Sequence, residues 1–280
     1  MQCAQLRGDY ELVLVTFFSR DNVEQFLDAL GAPVPMTVVD NGQGADGLEA
    51  VTQGRAGVRY QHGPARGFAT AANLGARGSH ADYLVFVNPD SRPSRGLIDD
   101  LVGDLRADPG LGAVAALMTG PDGRSERGAG GWQPSPRRAL THAMGLHKLF
   151  PTAGLYARPE PDQPIEVDGV TGACMAVPRK VFEELGGFDQ RYFVYSEDVD
   201  FGRRLREAGY RLRLRTDLKV PHQAGSSGGT PSVTMSRLEG SSFAAYSRRH
   251  LRPAAAATVI ALESGGAAAL GAARGSSPAG

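Results

Sequence analysis

The chain has 280 residues, 41 % hydrophobic and 21 % charged, and its 30 Lys+Arg balance 30 Asp+Glu. A neutral chain of this length buries a substantial core as one large domain or two small ones, and it lacks the concentrated basic surface that wrapping nucleic acid requires, so no nucleic-acid partner is expected. Two cysteines, Cys3 and Cys174, exclude a disulfide framework and a cysteine-rich zinc module.

In chain order, Leu12–Phe17 is a continuous apolar, β-rich run, the pattern of a strand covered on both faces. Asp21–Leu30 has helical spacing, with Val23, Phe26, Leu27 and Leu30 on one side and Gly31 as the stop. Val34–Asp40 reads as a second strand, Gly42–Gly47 as a glycine-rich loop and Val58–His62 as a third strand. An alanine-rich helix follows over Phe68–Arg77, then a fourth strand over Tyr83–Val87 that ends at Asn88-Pro89-Asp90. Leu97–Ala107 predicts a helix and Leu111–Met118 another strand. Strand–helix alternation of this kind argues an α/β fold with a mostly parallel central sheet flanked by helices.

Residues 119–165 change character. Gly and Pro crowd in, periodicity fades, and Arg137, Arg138 and Lys148 appear, which predicts an irregular excursion or lid. Order returns with a strand over Val167–Pro178 and a helix from Pro178 to Leu185, stopped by Gly186-Gly187. Ser196 reads as the N-cap of a helix running to Ala208, with Phe201, Leu205 and Ala208 on one stripe. Arg211–Arg215 alternates Arg and Leu as a half-exposed strand does, and Leu218–Val220 is strand-like. The tail from Pro253 is rich in Ala and Gly, helical in its first half and disordered at its end.

Several constellations can carry chemistry. Gly42-Gln43-Gly44-Ala45-Asp46-Gly47 matches GxGxxG, but the helix after it is too short and no carboxylate lies between Glu49 and Asp82, so a turn loop is the better reading. Asp40, at the carboxyl end of its strand, suits either a hydrogen bond to a base or ribose or the capping of its own loop. Asn88-Pro89-Asp90 fits a type I turn, and it equally presents one carboxylate of the kind that holds Mg²⁺ or Mn²⁺ together with substrate phosphates. Ser196-Glu197-Asp198-Val199-Asp200 sets three acids at a helix start, where they complement the helix dipole or supply a general base. His222, before Gly225-Ser226-Ser227-Gly228-Gly229, is either structural or completes a metal or diphosphate site when that loop closes.

Taken together and in order, these pieces resemble the family 2 glycosyltransferases with the GT-A fold. The matching series is Val15-Thr16-Phe17, Val38-Val39-Asp40-Asn41, Gly67-Phe68-Ala69 with Asn73 and Gly75, Val87-Asn88-Pro89-Asp90, Gly172-Ala173, and a long block from Glu184 to Tyr210. That block contains Gly186-Gly187-Phe188-Asp189 and Glu197-Asp198-Val199-Asp200, its most specific parts. Agreement runs over residues 12–250, and the branch most resembled is the bacterial rhamnosyltransferase-like one, which carries Asn-Pro-Asp where many relatives have Asp-x-Asp.

The resemblance implies an inverting transfer from a nucleoside diphosphate sugar, dTDP-rhamnose-like or a UDP-sugar, to an acceptor hydroxyl on a lipid-linked sugar, a polysaccharide or a small natural product. Thr16 and Asp40 would contact the nucleoside and Asn73 the phosphate side, with Gly67, Asn88, Gly172 and Ala173 also lining the substrate site. Asp90 would carry a divalent metal, Mg²⁺ or Mn²⁺, joined by His222; Asp198 would be the base, accompanied by Glu197. Ala65 stands where the family usually has Asn, leaving any role of that Asn to Arg66, and Asn88 in place of the first Asp implies a metal held more weakly and more through the bound nucleotide. On this reading residues 1–118 form the nucleotide-sugar half of one domain, 119–165 the excursion, 166–252 the acceptor and catalytic half, and 253–280 the tail.

Two other readings compete. A nucleotidyltransferase on a related sheet is disfavoured because no glycine-rich basic loop near the first strand is there to hold a triphosphate. Against a non-catalytic nucleotide-sugar-binding protein stand Asp90, Asp198 and His222, all present. The apolar runs Leu12–Phe18 and Ala254–Leu262 fall short of the about 18 residues of a membrane span, and the N-terminus lacks a signal-peptide pattern, so a cytoplasmic protein is expected. Charge is nevertheless polarised: residues 1–120 hold 9 basic and 14 acidic side chains, residues 121–280 hold 21 and 16. Most of the later arginines (Arg203, Arg204, Arg206, Arg211, Arg213, Arg215, Arg248, Arg249 and Arg252) read as a solvated face; the remainder would steer an anionic substrate or touch a membrane surface peripherally.

Overall fold

A computed structural model describes residues 9–31, 33–126, 128–150, 152–156, 163–222 and 232–263. Its first half is built as the hydrophobic pattern requires. Strands β1 (Tyr10–Thr16), β2 (Met36–Asp40), β3 (Val58–His62) and β4 (Tyr83–Val87) pair in parallel, in the order β3-β2-β1-β4. Helices α1 (Arg20–Leu30), α2 (Leu48–Thr52), α3 (Phe68–Ala76) and α4 (Arg95–Ala107) connect or follow them. The alanines of α3 allow close approach to the sheet; a Cβ on Gly75 would sit 2.7 Å from Val13 and 2.8 Å from Val39 side-chain atoms.

The next strand, β5 (Leu111–Thr119), is buried along its whole length but does not neighbour β4. Two short strands, β6 (Gly130–Gly131) and β8 (Gly169–Val170), pair apart from the main sheet, and β7 (Ile165–Val167) forms its far edge against β10 (Arg211–Pro221). Strand β9 (Cys174–Pro178) inserts between β4 and β5, antiparallel to both, completing the order β3-β2-β1-β4-β9-β5-β10-β7. The expected single strand over Val167–Pro178 is therefore three pieces. The chain leaves one sheet at Asp168, pairs briefly through Gly169–Val170, and re-enters the main sheet at Cys174. The two short alternating runs around Arg211 and Leu218 are one strand, β10.

The excursion over 119–165 contains more order than its composition suggests. Ser135 caps helix α5 (Pro136–Ala143) by accepting the Arg138 N–H, Pro136 opens it, and a 3-10 turn follows at Leu146–Lys148. Helices α6 (Arg179–Glu184) and α7 (Glu197–Glu207) lie where expected. Ser196 holds the N-cap position of α7 as expected, but with φ +68 and with no capping bond from its side chain. Helix α8 (Ser232–His250), unread in the sequence because serines and arginines blur its stripe, is followed by another helix over 253–263. Ala139 of α5, Leu155 and Val259 form a small second core with Phe243 and Leu251 against it. The Gly/Ser loop at 225–229, Cys3 and the end of the tail lie outside the described residues.

Seven of the later arginines are committed to ion pairs, and those of Arg211, Arg213 and Arg215 cross the chain's charge divide. Arg213 and Arg215 of β10 meet Asp104 at 3.2 and 2.9 Å, and Arg211 meets Asp108 at 2.7 Å. Arg203, Arg204, Arg206 and Arg249 pair with Glu207, Asp200, Asp168 and Asp189. Arg206, Arg211 and Arg249 are exposed, as a solvated face requires, and each of the seven has a carboxylate partner. Each exposed pair contributes no more than about 1 kcal/mol, so the pairs of Arg211, Arg213 and Arg215 with Asp104 and Asp108 align β10 with the end of α4 more than they stabilise the fold.

Candidate active site

Because β9 runs antiparallel to β4, its beginning meets the end of β4, and Val87 faces Cys174. The next residues continue the contact: the Asn88 N–H donates to the Ala173 carbonyl at 2.9 Å, and the Ser91 hydroxyl donates to the same carbonyl at 3.1 Å. The Asn-Pro-Asp turn is thereby fixed with Asp90 only 3 % exposed. The end of β10 comes alongside: Arg92 N–H donates to Pro221, His222 N–H to Thr119, and Ser91 bridges to His222. His222 so arrives with Nε2 3.1 Å from Asp90 Oδ1 and Nδ1 2.7 Å from Glu126 Oε2. Burial pulls the imidazole's proton affinity down, but Asp90 and Glu126 outweigh it and raise the pKa above its ordinary value. Glu126 gave no sequence signal, being one acid in a glycine-rich stretch, placed here by its N–H bond to Met118.

The other side of Gly172-Ala173 carries the acids of α7. Asp198 accepts the Gly172 N–H at 3.3 Å on one oxygen and the Val199 N–H at 2.8 Å on the other. Burial raises its carboxyl pKa, and these backbone bonds offset only part of that rise. Glu197 is 6 % exposed and its Oε2 has no hydrogen-bond partner; burial first, then the Asp198 charge, push its pKa well above the carboxylate range. Asp200 is different: fully buried, it accepts from Arg204 and lies 2.7 Å from His250 Nε2, locking α7 to α8. The three acids at the start of α7 thus hold three distinct positions.

The loop before α7 is strained and held. Tyr195 and Ser196 both adopt positive φ, +66 and +68. The Phe193 carbonyl accepts the Phe68 N–H at 2.7 Å, and the Val194 carbonyl accepts the Ser242 hydroxyl at 2.7 Å. Gly67 must be glycine, since a Cβ there would lie 1.9 Å from the Phe193 oxygen. Asn41 braces this turn by donating to Gly67 O and accepting from Ala65 N, leaving Arg66 exposed at its lip. The Tyr195 phenol is raised by burial and then by the charges of Glu239, Glu197 and Asp90, so acids from three elements converge on one ring.

Two residues expected at the substrate have partners within the protein. Asn73 donates to the Phe188 carbonyl and accepts the Phe188 N–H, both at 2.8 Å, so its amide closes on the Gly186-Gly187-Phe188-Asp189 turn. Asp40 is fully buried and accepts from Gly42 N, Gly44 N and the Tyr60 hydroxyl, each at 2.7 Å; it caps the glycine loop. Of its two sequence readings, the loop cap is the one the structure holds. Thr16, beside it in register, is buried with a hydroxyl that has no hydrogen-bond partner. Phe17 and Phe18, 44 % and 47 % exposed and edge-to-face at 4.7 Å, flank that end of β1. Gly172 and Ala173 act through their backbone as the strut between Asp90 and Asp198.

Asp90 and His222 also fit a divalent cation. Nε2 of His222 is buried and makes no aligned hydrogen bond, although a carboxylate oxygen faces it at 3.1 Å. No group of three or more His, Cys, Asp or Glu able to hold a metal occurs among the described residues. One oxygen and one nitrogen ligand leave the remaining positions to phosphate oxygens and water, as Mg²⁺ and Mn²⁺ accept.

Residues 11–186 match the model of glycosyl transferase family 2, and residues 161–252 that of glycosyl transferase family group 2. The chain is 32 % identical over 261 residues to the N-acetylglucosaminyl-diphospho-decaprenol L-rhamnosyltransferase of Mycobacterium tuberculosis, covering 85 % of this chain and 84 % of that protein. It is 26 % identical over 227 residues to the rhamnosyltransferase WbbL of Escherichia coli, covering 76 % and 83 %. In fold it is similar to a mannosyltransferase from Pyrobaculum calidifontis solved with GDP-mannose and Mn²⁺, with a TM-score of 0.60 at 18 % identity, covering 98 % and 77 %. With the sheet order and the Asn-Pro-Asp and Glu-Asp-Val-Asp elements in place, the chain belongs to glycosyl transferase family 2, a GT-A-fold transferase of the rhamnosyltransferase-like kind.

Proposed function

We propose that the protein is an inverting glycosyltransferase moving a deoxyhexose such as rhamnose from a nucleoside diphosphate donor to a hydroxyl of a sugar carried on a lipid diphosphate. The observation that carries the reading is the placement of Asp198, half-buried and with a raised pKa, across the Gly172-Ala173 strut from Asp90. A carboxylate of raised basicity suits a general base at neutral pH. Asp198 takes the proton of the acceptor hydroxyl while its oxygen attacks the anomeric carbon. The new C–O bond forms as the bond from that carbon to the diphosphate oxygen breaks, inverting the centre and releasing nucleoside diphosphate.

Burial, and then the Asp198 charge, push the Glu197 carboxyl well above its ordinary range, which lessens the negative charge it sets beside that base. Asp90 and His222 would hold a divalent cation, Mg²⁺ or Mn²⁺, which supplies positive charge to the leaving diphosphate when bound. Glu126 orients His222 through Nδ1, leaving Nε2 toward Asp90. The rhamnosyl donor and lipid-linked acceptor follow the printed names of the relatives; a dTDP-sugar is the first candidate and UDP-sugars the second.

The test is product analysis with dTDP-rhamnose or UDP-sugars, Mg²⁺ or Mn²⁺, and a short-chain N-acetylglucosaminyl diphospho-polyprenol. Nucleoside diphosphate and a product of inverted anomeric configuration are expected. Retained configuration, or pyrophosphate as the product, overturns the reading.

A further inference from the structure

The segment that leaves the small second core carries an apolar surface that no described residue covers. In α5, Ala139 points inward, while Leu140 and Met144 lie one turn apart on the outer face and are 50 % and 62 % exposed. Leu149 and Phe150 follow on the next turn at 74 % and 61 %. These are not frayed positions. The N–H groups of Leu149 and Phe150 both donate to Leu146 O, His142 stacks on His147 at 4.2 Å, and Arg138 is turned inward over Trp132.

Charge within the segment has one sign. From Pro136 to Tyr156 the sequence holds Arg137, Arg138 and Lys148 and no acidic residue. Arg137 is exposed three residues before Leu140, on the same helix face. Arg248 and Arg252 flank Leu251, which packs on the core of Ala139; both are exposed, and neither forms an ion pair with a described residue, unlike the seven other later arginines. An apolar face with a basic rim, whose neighbouring acid Glu263 is tied to the Tyr156 hydroxyl at 3.0 Å, is the chemistry of an amphipathic element lying in an anionic lipid surface. No helix among the described residues is long and apolar enough to cross a membrane, so this contact is lateral.

We propose that the α5 face, with Leu140, Met144, Leu149 and Phe150 inserted and Arg137, Arg248 and Arg252 at the headgroups, docks the protein on anionic bilayers. The inference goes beyond the reaction and requires neither donor nor acceptor. It is tested by co-sedimentation of the full chain with phosphatidylcholine vesicles containing 30 % phosphatidylglycerol. Binding that weakens at high salt and on pure phosphatidylcholine is expected. The doubly substituted chain L149E/F150E should lose more than about tenfold in partition, and R252E, at the rim, about fivefold or more, with thermal melts and turnover of a water-soluble acceptor unchanged. Both apolar positions are exposed, so these variants fold. Absence of wild-type binding, or binding that L149E/F150E leaves intact, overturns the proposal. So does a dimer of the wild-type chain that L149E/F150E dissolves without any vesicle binding, which would assign the face to a second copy.

Discussion

The carbonyl of Ala173 accepts the N–H of Asn88 at 2.9 Å, while the neighbouring Gly172 N–H is donated to Asp198. Two consecutive residues therefore span the carboxylate turn at the end of β4 and the acid cluster of α7. The spacing between these chemistries is fixed by backbone at the start of β9 and not by side chains. Only an antiparallel strand inserted beside β4 delivers its first residues to the carboxyl end of that strand.

Replacing Asp198 with Asn keeps its size and removes the proton acceptor. Turnover should fall by about 10²–10⁴-fold, the range of general-base contributions. Donor affinity, read by isothermal titration with nucleoside diphosphate, should stay unchanged. In the wild type, burial raises the Asp198 pKa, so kcat/KM should fall on the acid side at a pH above the ordinary carboxylate range. An acid limb at ordinary aspartate values, or an active Asn variant, removes Asp198 from the role of base.

Glu197 supplies a stability prediction of opposite character. Its folded-state pKa is raised, so the native chain binds a proton that the unfolded chain has released, and stability declines as pH rises through that interval. Glu197→Gln cannot ionise. The variant should melt above the wild type at pH 8 and level with it near pH 4, as followed by thermal denaturation across pH. A variant that melts lower at pH 8 would mean that the charge is satisfied in the native fold.

Asn73 separates a structural from a substrate role. Asn73→Leu leaves the buried N–H and carbonyl of Phe188 without their partners, at a cost of about 2–4 kcal/mol. Calorimetry should show that loss, while donor binding measured well below the melting point is retained. A large loss of donor affinity with little change in melting would return Asn73 to the phosphate side.

The first four strands and their helices were legible because buried parallel strands are runs of uniform apolar residues, and such runs need no partner to be recognised. The position of β9 was not, since Cys174–Pro178 would look the same beside any strand. Within the site, Asp90, Asp198 and His222 stood out by type and place, but Glu126 stood in a stretch without periodicity, and its value depends on a turn that pairs it with His222. The backbone partners of Asn73 and Asp40 were not legible, because residue type alone cannot distinguish a polar group aimed at substrate from one closed on backbone. The Gly-Gly-Phe-Asp motif illustrates this. Its second glycine makes room for Asn73, and Phe188 joins Phe86, Phe182 and Phe201 in an aromatic core with ring centroids 4.9–5.3 Å from its own.

Gly67 tests whether the strained loop before α7 must be held for turnover. A methyl group there collides with Phe193 O and also forces alanine into φ +88. Gly67→Ala should lose the Phe68–Phe193 hydrogen bond, seen as faster amide exchange at Phe68, and should lower kcat with a stability cost of about 1–3 kcal/mol. Unchanged exchange and kcat would show that the 193–196 loop reaches its conformation without this contact.

Glu126 acts on the cation site only through His222, so its effect should be graded. Glu126→Gln keeps a hydrogen-bond partner for Nδ1 but removes the charge, and Glu126→Ala removes both. Partners of this kind typically alter metal affinity by about 10–100-fold. Mn²⁺ binding in the presence of nucleoside diphosphate, read by electron paramagnetic resonance without turnover, should weaken in the order wild type, Gln, Ala, with His222→Ala at least as weak as the last. Equal Mn²⁺ affinity in all four proteins would leave Asp90 and the diphosphate as sufficient ligands and confine Glu126 and His222 to joining β10 to the Asn-Pro-Asp turn.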